Sequence, residues 1–136
     1  MNDDVVIEAV RDDAGIIGFP LLPDQVIYHW SPTDRRDQIT ARGLRIRSVS
    51  PHAPIRYPMV CFSTDPLTAW AASGGTFDLP EVTSWDLWGV YVGDLRHGCE
   101  VIPRDDRTIR ELRVYRSIPA TAVHLIGSRV APPARL

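Results

Sequence analysis

The nine residues SWDLWGVYV, positions 84 to 92, constrain the fold more than any other stretch of the chain. They are rich in aromatic and β-branched side chains, which fit a pleated strand better than a helix. Alternation places Trp85, Leu87 and Tyr91 on one face and Trp88, Val90 and Val92 on the other. Both faces are apolar, so the strand needs protein on both sides of it. A chain of 136 residues has one domain's worth of material to supply that cover.

The remaining sequence is heavily punctuated. Twelve prolines and nine glycines predict turns and short elements rather than long helices. Val26 to His29 reads as a short strand. Ser31-Pro32-Thr33-Asp34 then has the form of a helix start: Ser31 as N-cap, Pro32 at the first helical position, and an acid three residues after the cap. That helix is expected to run to about Arg42 and stop at Gly43. Leu44 and Ile46 alternate with arginines and suggest a short extended piece. Residues 48–58 read as a loop and MVCFS (59–63) as a strand. Asp65-Pro66 repeats the cap-plus-proline signal and opens a helix through LTAWAAS, ended by Gly74-Gly75. GCEVI, ELRVYR and AVHLIGSRV are further strand candidates, with TFDLPEVT and PRDDRT as loops between elements. Residues 1–24 form a lead-in and 131–136 a loose tail. Neither a repeat nor a linker interrupts the chain, so the reading is one α+β domain of short strands over 1–136.

Composition narrows the function classes. No apolar run approaches the roughly 18 residues of a membrane-spanning helix. The acidic start MNDDVVIEAV lacks the basic opening of a signal peptide, which points to a cytoplasmic protein. Two cysteines, Cys61 and Cys99, make a disulfide framework improbable, and Cys61 in its apolar run reads as a small hydrophobe. The four histidines have no metal-ligand spacing, so no metal is expected. A net charge of −2 argues mildly against nonspecific nucleic-acid binding. All fifteen basic residues are arginine, which reads as genomic base composition.

Three polar positions fall at strand ends: His29, then Ser63-Thr64 after 34 residues, then Glu111 after a further 48. Strand ends suit a cleft, because the strand fixes the residue while its tip stays open. Each position also has a plainer reading. His29 suits a satisfied rim residue, Ser63-Thr64 the approach to the Asp65 cap, and Glu111 a surface carboxylate paired with Arg110 or Arg113. Trp70, Trp85 and Trp88 read as core or cleft wall. The arginines at 35–36 and 42–47 form either a solvated face or a receiver for an anionic group.

The order of these motifs resembles the ADP-ribosyltransferase superfamily, including the poly(ADP-ribose) polymerase catalytic domain, diphtheria-type toxins and the rifamycin-modifying transferases. The carriers are YHWS (28–31) with Ile39 and GLRI (43–46), VCFSTD (60–65) with Ala69-Trp70, and ELRVY (111–115) followed by AVHLI (122–126). Together they cover residues 26 to 127. Two residues depart from the family pattern: Trp30 stands where glycine usually follows the histidine, and Cys61 where the diphtheria-type branch has a stacking tyrosine.

The resemblance implies two packed sheets of short, mostly antiparallel strands around an NAD cleft, with about two short helices. It implies a mono-ADP-ribosyltransferase that uses NAD as substrate, needs no metal and releases nicotinamide. The acceptor is left open: a protein, a nucleic acid or a small molecule. Glu111 would be the catalytic carboxylate. His29 would bind the ribose on the adenosine side, the main chain of Trp30 the nicotinamide amide, and Ser31 a ribose. Ser63 would support the nicotinamide or Glu111. Stacking on the nicotinamide would fall to Tyr57, Phe62 or Trp70, and Arg45 or Arg47 would receive the pyrophosphate. Two alternatives stand beside this: an RNA 2′-phosphotransferase-like enzyme that also uses NAD, and an inactive binding or interaction module of the same fold.

Overall fold

The computed structural model of the chain describes residues 10–12, 15–17, 22–47, 58–72, 82–95, 99–103 and 110–129. It is a small α+β domain. A hairpin of β1 (Val10–Asp12) and β2 (Gly15–Ile17) precedes two three-stranded antiparallel sheets. The first sheet has the order β3 (Val26–Pro32), β5 (Trp85–Tyr91), β8 (His124–Arg129). The second has the order β4 (Val60–Phe62), β7 (Arg110–Val114), β6 (Glu100–Pro103). Two helices of seven residues, α1 (Arg36–Arg42) and α2 (Pro66–Ala72), follow β3 and β4.

β5 is central, as its two apolar faces require, and every residue from Trp85 to Val90 is buried. One face joins Trp88, Val90 and Val92 to Ile27, Ile39, Phe62, Leu112 and Val114 in the larger core. The other joins Trp85 and Leu87 to Trp30, Ala69 and Trp70 in a smaller core beneath α2. Trp70 stands edge-on to both Trp30 and Trp85, with ring centroids 5.7 and 5.2 Å apart. Such T-shaped pairs set the positive ring edge against the negative face and contribute about 0.5–1.5 kcal/mol each beyond area burial.

The first helix begins differently from the sequence expectation. Ser31 and Pro32 are strand residues, paired with Asp86 and Trp85, and no side chain caps α1. A 3₁₀ turn over Thr33–Arg35 leads into the helix instead. The strand wins because Thr33 extends its pairing: its N–H bonds the Ser84 carbonyl at 3.0 Å and its hydroxyl bonds Asp86 at 2.9 Å. At the other end Gly43 does stop α1, with φ at +81° and its N–H on the Ile39 carbonyl. The extended piece after it is a single bridge between Leu44 and Ile118. At α2 the cap expectation holds, since Asp65 accepts the Thr68 N–H at 2.8 Å and Pro66 opens the helix.

Candidate active site at the parting of two strands

Among the described residues, main-chain hydrogen bonds join the two sheets at one place. Tyr28 on β3 and Ser63, just past β4, exchange both main-chain hydrogen bonds, at 2.8 and 3.1 Å. In a regular antiparallel ladder the next such exchange would join Trp30 and Cys61. It does not form. The Cys61 carbonyl is taken by the His29 side chain, whose Nδ1 lies 2.7 Å away. A carbonyl only accepts, so Nδ1 carries the proton and donates. The imidazole therefore replaces the Trp30 N–H as the partner of Cys61, and the strands part at that point.

This has a direct consequence for Trp30. Alternate residues of a strand send their N–H and C=O to opposite sides, and those of Tyr28 point toward β4. Those of Trp30 point the same way, away from β5, and no described residue takes them. The indole is engaged elsewhere: its Nε1–H donates to the Pro66 carbonyl at 2.8 Å. A main-chain donor and acceptor thus stand side by side, with no partner among the described residues, where β3 and β4 part.

His29 tilts against Phe62 with ring centroids 5.6 Å apart. Burial lowers its pKa to about 4; the bond to Cys61 opposes this shift and the nearby Arg35 charge adds to it. The ring is neutral at pH 7, and with Nδ1–H committed to Cys61 its Nε2 is an acceptor.

Glu111 lies on β7, which borders β4 on the side away from β3. The register that pairs Phe62 with Leu112, carried one residue further, sets Ser63 level with Glu111. Glu111 is 7% exposed. Arg113, two residues along on the same face, holds it by Nε at 3.0 Å and Nη2 at 2.9 Å. Both contacts fall on Oε2, which fixes the carboxylate while leaving Oε1 outside the ion pair. Burial alone would lower the Arg113 pKa, but hydrogen bonds to Glu111 and Tyr115 and the Glu111 charge outweigh it and raise it. By the pleat, Glu111 leaves its strand on the face continuous with Tyr28 and Trp30, and His29 leaves on the face of Ile27 and Phe62. The two side chains therefore leave the sheet on opposite faces, and the structure does not bring them together.

The other expected site residues are placed as follows. Ser31 and Ser63 are buried, at 1% and 0%. Ser63 is at the junction itself, and the Ser31 hydroxyl is enclosed without a hydrogen-bond partner. Phe62 and Trp70, expected to stack on a ligand, are 2% and 4% exposed and belong to the two cores, so neither offers an open ring face. Tyr57 lies outside the described residues. Arg45 is exposed, on a segment tied to Ile118 and Ser117 through Leu44 and Ile46.

Sequence reasoning missed Asp86. Its carboxylate is fully buried and takes Arg36 Nε at 2.8 Å, Arg36 Nη2 at 2.7 Å, Thr33 at 2.9 Å and Ser128 at 2.7 Å. Burial pushes its pKa up, but these bonds outweigh it and hold the carboxyl below its ordinary value. Arg36 is thereby a structural clamp and not part of a free basic face. The signal was present, because an acid inside the apolar run WDLWGV must bring its own partners.

Among the described residues no group of three or more His, Cys, Asp and Glu is placed to hold a metal ion, and no helix is long and apolar enough to cross a membrane. Compared with known proteins, the chain matches no family model and shows no significant match to a curated sequence.

Proposed function

We propose that the protein is a single-domain mono-ADP-ribosyltransferase, which moves ADP-ribose from NAD to an acceptor nucleophile and releases nicotinamide. One observation supports the reading: the N–H and C=O of Trp30, which no described residue takes, where β3 and β4 part. A primary carboxamide has one acceptor oxygen and an NH₂ donor, and it complements such a main-chain pair with two hydrogen bonds. Nicotinamide carries that group. Beside it, the His29 Nε2 acceptor suits a ribose hydroxyl, in keeping with the family role.

In the reaction the bond between the ribose anomeric carbon and the nicotinamide nitrogen breaks. Nicotinamide leaves with the bonding pair, and positive charge develops on the sugar. The acceptor then supplies a pair to the anomeric carbon and gives up its proton. A carboxylate held in place near that carbon stabilises the developing charge without reorganising. Glu111, fixed through Oε2 by Arg113, is the residue for this role.

The same ion pair favours a second reading, a module that binds NAD or ADP-ribose without turning it over, because Glu111 already has a cationic partner. Nicotinamide release from NAD separates the two. Glu111→Gln should lower the wild-type rate by about 10²–10³-fold. Equal, negligible release from both folded proteins, with candidate acceptors present, supports the module.

A further inference from the structure

The acidic residues are unevenly spread along the chain. None falls between Asp37 and Asp65, and none follows Glu111, so all seventeen lie outside residues 38–64 and 112–136. Those two stretches hold eight of the fifteen arginines. The net charge of −2 therefore hides two cationic segments in an otherwise acidic chain.

The fold brings the two segments together. Leu44 and Ile118 exchange both main-chain hydrogen bonds, at 3.0 and 2.7 Å, and the Ile46 N–H donates to the Ser117 hydroxyl at 3.1 Å. Leu44 and Ile118 belong to the larger core. Their neighbours are exposed: Arg42, Arg45 and Arg47 on one segment, Tyr115, Arg116 and Ser117 on the other. None of these four arginines forms an ion pair with another described residue. Arg47 is also the one non-glycine among the described residues with a positive φ, at +55°. That backbone is costly for a residue with a Cβ, and glycine would relieve it, yet an arginine holds the position. Tyr115 is 44% exposed and adds an aromatic ring to the surface, past the end of β7 farther from Glu111.

We infer that this surface binds single-stranded nucleic acid, with backbone phosphates on Arg45, Arg47 and Arg116 and a base on Tyr115. A guanidinium fork matches phosphate oxygens, and a ring face accepts any base. An anionic lipid surface offers the charge but no flat partner for Tyr115. The site uses none of Glu111, His29 and Trp30 and stands apart from the NAD reading.

The test is fluorescence anisotropy of the full chain with a labelled single-stranded RNA of twelve nucleotides. Wild type should bind saturably at low salt. The logarithm of the affinity should fall with the logarithm of salt at a slope of about −2 to −3, as three or four phosphate contacts require. Arg47→Gly removes a charge and relieves the backbone, so the fold is kept; it should weaken binding by about three- to tenfold and make the slope shallower by about 0.7. Arg116→Gln should do the same. Tyr115→Leu should weaken binding by about fivefold or more at an unchanged slope. Arg129→Gln, in an acid-free stretch but on β8, should change nothing. Absence of saturable binding to the wild type overturns the proposal, as does unchanged affinity in Arg47→Gly and Arg116→Gln. Displacement of the RNA by excess NAD would give Arg45 and Arg47 to the pyrophosphate and overturn it too. Tighter binding to vesicles of phosphatidylserine and phosphatidylcholine than to the RNA would assign the surface to a membrane instead.

Discussion

His29 Nδ1 donates to the Cys61 carbonyl at 2.7 Å, in the place where the Trp30 N–H would continue the ladder between β3 and β4. One side chain thus decides where two sheets separate. It keeps a peptide donor and acceptor out of the ladder, and the proposed function assigns them to the nicotinamide amide.

The desolvated, half-buried imidazole gives stability a pH dependence. The folded-state pKa is about 4 against an ordinary 6.5, so below pH 6.5 the unfolded chain takes up a proton that the folded chain refuses. Stability should therefore fall as pH drops from 6.5 to about 4, by at most about 3 kcal/mol. Urea unfolding at pH 7.5 and pH 4.5 measures the loss, and His29→Gln should flatten it. An equal slope in wild type and variant would remove His29 as its source.

Asp86 should behave as a structural anchor. Asp86→Ala strands the donors of Thr33, Ser128 and Arg36 around a buried space, and about 2–4 kcal/mol of stability should go with it. Because the folded carboxyl sits below its ordinary pKa, this contribution is present above pH 3.8 and lost below it. The gap between wild type and variant in urea midpoint should thus narrow at pH 3 relative to pH 7.

Gly43 tests the stop of α1. Its φ of +81° is costly for any other residue, and an added Cβ would lie 1.9 Å from the Ile118 carbonyl oxygen. Gly43→Ala should cost more than the roughly 1–2 kcal/mol of left-handed strain alone. A thermal midpoint within a degree of wild type would contradict this placement.

These elements also show how far the sequence could be read. The central strand, the Gly43 stop, the Asp65-Pro66 helix start and the α+β class were legible because each follows from local rules: alternation, left-handed backbone and capping. Ser31 and Pro32 misled because the cap signal is local, whereas the pairing with Asp86 and Trp85 comes from residues more than fifty positions away. That Asp86 needs partners was legible, but their identity was not, since they lie at residues 33–36 and at 128, far from it in sequence. His29 and Glu111 were chosen by pattern. Their link through Cys61 and Arg113 depends on strand order, which a single sequence does not display.

Arg113 should act as a positioning residue for Glu111. Arg113→Gln loosens the carboxylate while leaving the proposed NAD contacts of His29 and Trp30 intact. The turnover number should fall by about tenfold with little change in KM. A rise in KM at unchanged turnover would instead assign Arg113 to substrate binding.

The central claim is that the opening beside Trp30 receives the nicotinamide end of NAD. Titration of ¹⁵N-labelled protein with NAD, followed by amide NMR, tests it at the atom concerned. A saturable shift of the Trp30 main-chain amide, with smaller shifts at His29 and Ser63, is the predicted result. Shifts confined to Gly127 and Arg129, or no saturable shift at Trp30, would contradict it.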